Sequence, residues 1–77
     1  MSRKIKLIWD FRGPAAAQTA KHHGIHLKEF LEKENYSLKI SGFEPIDEMY
    51  SLAFVVVEET DMLTFRDALR PHRAEVY

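Results

Sequence analysis

A chain of 77 residues, 45% of them apolar and 30% charged, has ordinary globular composition and sustains one core, so residues 1–77 are read as a single domain. The absence of cysteine excludes disulfides, thiolate metal centres and thiol chemistry. Eleven basic against twelve acidic residues give a formal charge of −1, too even a balance for a nucleic-acid binder, and no apolar run approaches the ~18 residues of a membrane span. The stretch from Met1 to Asp10 is basic with a short apolar run, but Lys6 and Asp10 interrupt it and no small-residue cleavage site follows. A signal peptide is therefore not expected, and the cytoplasm is the expected compartment.

Residues 3–11 alternate, with Ile5, Leu7, Trp9 and Phe11 on one side and Lys4, Lys6, Ile8 and Asp10 on the other, which predicts a first strand. Arg12-Gly13-Pro14 breaks it, and Pro14 suits the first position of a helix. That helix is predicted from Pro14 to Glu34, with Ala16, Ala20, His23, Leu27, Phe30 and Leu31 on its buried stripe. Gly24 within it calls for a kink or close packing, and Asn35 is a reasonable stop. Ser37 to Phe43 reads as a second strand, Glu44-Pro45-Ile46-Asp47-Glu48 as a hairpin loop, and Met49 to Glu58 as a third strand apolar on both faces. Thr60 or Asp61 can cap a second helix carrying Met62, Phe65 and Leu69, which Arg70-Pro71 ends. His72 to Tyr77 makes a final short strand.

This order of elements over the whole chain resembles the ferredoxin-like fold. The resemblance implies an α+β, βαββαβ domain with a four-stranded antiparallel sheet in order 4-1-3-2 and two helices on one face. The compact chain is also similar to the small dimeric α+β barrel proteins of bacteria, in which two such sheets pack face to face. Two helices cover only one face, so an apolar patch is expected on the other, and with it a homodimer through the open sheet face or by pairing of edge strands.

Three of the four histidines fall within Lys21-His22-His23-Gly24-Ile25-His26. Histidine changes charge near neutral pH and ligates metals, so this run is the first candidate for chemistry. At about 100° per residue the helix places His23 on the apolar stripe, His26 at its edge and His22 outward, which makes a three-histidine site poor. His22 and His26, one turn apart, remain a candidate pair for a divalent metal, the only cofactor expected here. His23, or His72 by analogy with dimeric-barrel enzymes, is a candidate acid or base.

A second candidate is the end of the sheet, where the fold gathers Asp10, Glu44 and Asp47 with Arg12, Gly13, Arg70, His72 and Arg73 near a helix N-terminus. The last five suit a small anion, and the alternative is a surface ion-pair network with the carboxylates. No serine sits in a nucleophile-elbow context, since Ser37, Ser41 and Ser51 all read as strand positions. These features favour a small homodimeric, noncatalytic ligand-binding or regulatory module. A dimeric-barrel-type enzyme and a histidine metal-binding protein are the alternatives, and neither nucleic acid nor membrane is an expected partner.

Overall fold

The computed structural model describes residues 3–77. Its elements run β1 (Lys4–Arg12), α1 (Ala16–Lys33), β2 (Ile40–Asp47), β3 (Tyr50–Glu58), a 3₁₀ turn (Glu59–Asp61), α2 (Met62–Leu69) and β4 (Arg73–Val76). The strands form one antiparallel sheet in the order β2-β3-β1-β4, the ferredoxin-like arrangement expected from the element order.

Register follows from the apolar alternation. Ile5, Leu7, Trp9 and Phe11 of β1 lie opposite Val57, Val55, Ala53 and Ser51 of β3. The first three pairs form the core with Leu27 and Leu31 of α1 and Phe65 of α2. Each large side chain so buried contributes about 1.5–3 kcal/mol, and a one-residue slip would turn all of them outward. The Trp9 indole N–H donates to the Leu69 carbonyl at 3.0 Å, tying the end of α2 to β1.

Local chemistry moves several boundaries. Helix α1 starts at Ala16 rather than Pro14, because Gly13 takes a positive φ of 110° and donates its N–H to Met49 O (2.8 Å), which turns the chain through Pro14 and Ala15 first. Its C-terminus is a Schellman motif: Asn35 is left-handed (φ 56°), Asn35 N–H donates to Glu32 O and Tyr36 N–H to Leu31 O. The second strand begins at Ile40, so Ser37 lies outside it, and Glu44-Pro45-Ile46-Asp47 belongs to the strand rather than to a loop. The turn is instead the two residues Glu48 and Met49, pinned by Met49 N–H donating to Asp47 Oδ1 (2.8 Å), while a bulge between Pro45 and Asp47 absorbs Ile46. Proline is tolerated here because β2 is an edge strand. Neither Thr60 nor Asp61 caps α2 through its side chain; the 3₁₀ turn leads the chain into the helix.

The sheet face away from the helices is not the expected apolar patch. Ile8, Leu52 and Val56 on that face are at most 6% exposed, because long side chains of the same face lie over them. Lys6 sits 4.6 Å from the Phe54 ring centroid and pairs with Glu44, Arg12 lies 4.3 Å from the Tyr50 ring centroid, and Arg73 pairs with Asp10 and Glu75. Snorkelling stems thus cover the apolar rows while their charges reach solvent. The large exposed apolar residues lie elsewhere and include Ile25, Phe43, Ile46 and Met49.

Gly24 explains how α1 sits on the sheet: a Cβ there would stand 3.2 Å from the Gly42 carbonyl oxygen of β2. The helix does not need to kink; it packs glycine to glycine. Gly24→Val is expected to lower unfolding free energy in urea by about 2 kcal/mol through overpacking. Gly24→Ala should stay within about 1 kcal/mol of the parent, because its helix-propensity gain offsets a small displacement of β2.

Candidate functional site

With Gly24 facing β2, the helix phase of its neighbours is fixed. His23 turns onto the sheet, its ring centroid 4.8 Å from that of Trp9 and 5.6 Å from that of Phe11. His22 and His26 stay on the exposed side with ring centroids 4.6 Å apart at 76° and their Nε2 atoms 3.0 Å apart, one donating and the other accepting. His26 Nδ1 is 3.6 Å from Glu29 Oε1, a carboxylate one turn further along. Together Gln18, Thr19, His22, His23, His26 and Phe11 line an open groove of about 400 Å³.

Phe11 organises the groove from below. The His72 ring approaches it to 6.3 Å between centroids, so the two candidate acid-base residues of the sequence, far apart in the chain, flank one phenyl ring. Backbone placement explains this: Arg73 pairs with Ile8 on the open face, so the preceding residue turns toward the helices. His72 Nδ1 accepts the Asp10 N–H at 2.9 Å, which leaves its ring proton to Nε2.

Among the described residues, two buried side-chain polar atoms lack partners. His23 Nε2 is enclosed against the sheet, and Ser51 Oγ is buried on the residue that pairs with Phe11. An unpaired N–H costs more there than an unpaired acceptor, so the His23 proton belongs on Nδ1, the nitrogen not so enclosed. Burial holds the His23 pKa below the ordinary histidine value, and the charges of His26 and His72 add to that effect. The imidazole on the groove floor is therefore neutral at pH 7.

The anion-site candidates do not converge on one point. Arg12 and Arg73 both reach Tyr50 on the open face, where Arg73 is committed to Asp10 through Nε (3.0 Å) and Nη2 (3.2 Å) and to Glu75 through Nη1 (2.7 Å). Tyr50 OH also donates to Asp10, and the Asp10 pKa is lowered foremost by the Arg73 hydrogen bonds, then by that from Tyr50, against the opposing effect of burial. His72 lies on the other face, Arg70 ends α2 in a left-handed conformation, and the Gly13 N–H is already bonded. Asp10 and Glu44 take part in ion pairs, whereas Asp47 holds the β2–β3 turn. Among the described residues no three histidine, aspartate or glutamate side chains converge as metal ligands.

Sequence reasoning located His23 and His72 separately but missed that Phe11 joins them. Its reading of the His22/His26 pair left out Glu29, although the i,i+3 relation of Glu29 to His26 was available.

Because the His23 pKa is lower folded than unfolded, its neutral form favours the native state above about pH 6.5, and that contribution is lost as pH falls through the folded value. Urea denaturation of the parent should thus show stability declining below pH 6.5. The decline should be smaller in His23→Leu, and Asp10 adds its own loss only at more acidic pH.

No protein-family model matches this chain, and comparison with curated proteins and with solved structures likewise gave no match.

Proposed function

We propose that this protein is a noncatalytic binding or regulatory module whose ligand site is the histidine groove over Phe11. The observation that carries this reading is the convergence of one phenyl ring and three imidazoles, His22, His23 and His26, on a single open groove. A small anionic ligand with a flat apolar part fits that lining: the ring lies over Phe11, and imidazole N–H groups with the Gln18 amide N–H meet the charge. Thr19 Oγ1 already donates to Ala15 O at 3.0 Å, so toward a ligand it serves as an acceptor.

Benzoate is a simple probe of this chemistry. Titration followed by amide and imidazole NMR should give saturable shifts centred on Phe11, Gln18, Thr19 and His23. Shifts spread over the surface lysines, or none at millimolar probe, would sink the reading. The flanking of Phe11 by His23 and His72 supports a second reading, an enzyme using either histidine as acid or base, which benzoate binding at the groove without His72 shifts would count against.

Self-association belongs to the same proposal. The open sheet face carries an ion-pair network, whereas the β2 edge presents Phe43 with Ile25 of α1 beside it in a shallow groove that Lys21 and Lys28 border. Lys39 precedes β2, and Glu44, Asp47 and Glu48 lie toward its far end, so antiparallel pairing of two β2 edges sets basic against acidic ends. Sedimentation equilibrium is expected to show a dimer that Phe43→Lys converts to a folded monomer. A parent that remains monomeric at about 1 mM, roughly the floor of useful affinity, would remove the dimer from the proposal.

A further inference from the structure

The geometry points to a mononuclear site for a divalent late transition-metal ion at the mouth of the groove, with His22 Nε2 and His26 Nε2 as its two protein ligands. Metal–imidazole bonds of about 2.0 Å place two ligand nitrogens ~2.8 Å apart at a right angle and ~3.3 Å apart at the tetrahedral angle. The observed separation of 3.0 Å falls between these values, so one ion can bridge the pair with only small ring movements. Both rings are held on consecutive turns of an 18-residue helix, so the pair is already assembled before metal arrives.

Metal binding requires a lone pair on both Nε2 atoms. The histidine that now donates the Nε2–H must therefore carry its proton on Nδ1 instead. For His26 that nitrogen faces the Glu29 carboxylate, the usual position of a second carboxylate that orients a ligating imidazole and raises its basicity. Neither histidine is buried, and their exposure leaves the remaining coordination positions to water or to another ligand. Because both line the same groove as Phe11 and His23, an anion lying over Phe11 could occupy one of those positions. Imidazole donors favour copper and nickel over manganese, with zinc also well suited. The last part of this inference rests on the groove as a ligand site, whereas the metal site itself does not.

The test uses the full chain without a histidine tag, in buffer free of chelating amines, with zinc sulfate and nickel sulfate as probes. Isothermal titration should give one equivalent of saturable binding. His22→Ala and His26→Ala should each weaken it at least ~10-fold with circular dichroism unchanged, and Glu29→Gln should weaken it several-fold. Absence of saturable binding up to millimolar metal, or retention of full affinity by either alanine variant, would overturn the site. Benzoate titrated with and without one equivalent of zinc then separates the two ideas. A tighter benzoate complex with zinc supports the open coordination positions, and equal affinity overturns their role in the groove. Failure of benzoate under both conditions removes the groove reading while the metal titration still stands.

Discussion

The close approach of Gly24 to Gly42 is the constraint on which the rest of the arrangement depends. A helix that carries histidines at three of five consecutive positions can present them in many ways, and the contact of two backbones selects one. With Gly24 against β2, its predecessor His23 falls over Trp9 and Phe11, and His22 and His26 are left in contact on the exposed side. The same contact lets α1 lie over β2 and β3 and reach β1, so Leu27 and Leu31 enter the core. A helix that packs this closely has no room to rotate, because rotation would drive side chains into the β2 backbone.

The two faces of the sheet solve different problems. The helix face is an apolar core closed by aromatic contacts, with Phe65 against both Phe30 (5.4 Å between centroids) and Tyr36 (4.7 Å). The other face has no layer above it and is sealed by its own side chains. Arg73, Tyr50 and Asp10 bind one another there, and Lys6 and Arg12 lie over aromatic rings. Partly exposed ion pairs of this sort are individually weak, and covering Ile8 and Val56 is their larger contribution. An arginine spent in this way has little left for a free anion. The imidazoles gather instead at the end of the helix face, where Phe11 is half-buried.

What the amino-acid order determined by itself was set by periodicity and by residues with strong local preferences. Alternation in β1 identified its buried side, the helical stripe separated His23 from His22, and Asn35 marked the end of α1 through its tolerance of a left-handed backbone. Element order then supplied the sheet topology through its resemblance to the ferredoxin-like fold. Pro45 misled because proline usually signals a turn, while here the edge position of β2 removed the hydrogen bond that proline would otherwise have broken. The tertiary structure alone decided the Gly24–Gly42 contact, the covering of the open face, and the meeting of His23 and His72 across Phe11. Each joins residues distant in the chain, and no local pattern encodes such distances. They follow from how strands pair and how a helix settles on them, and with them comes the division of the histidine run into one half-buried ring and one exposed pair.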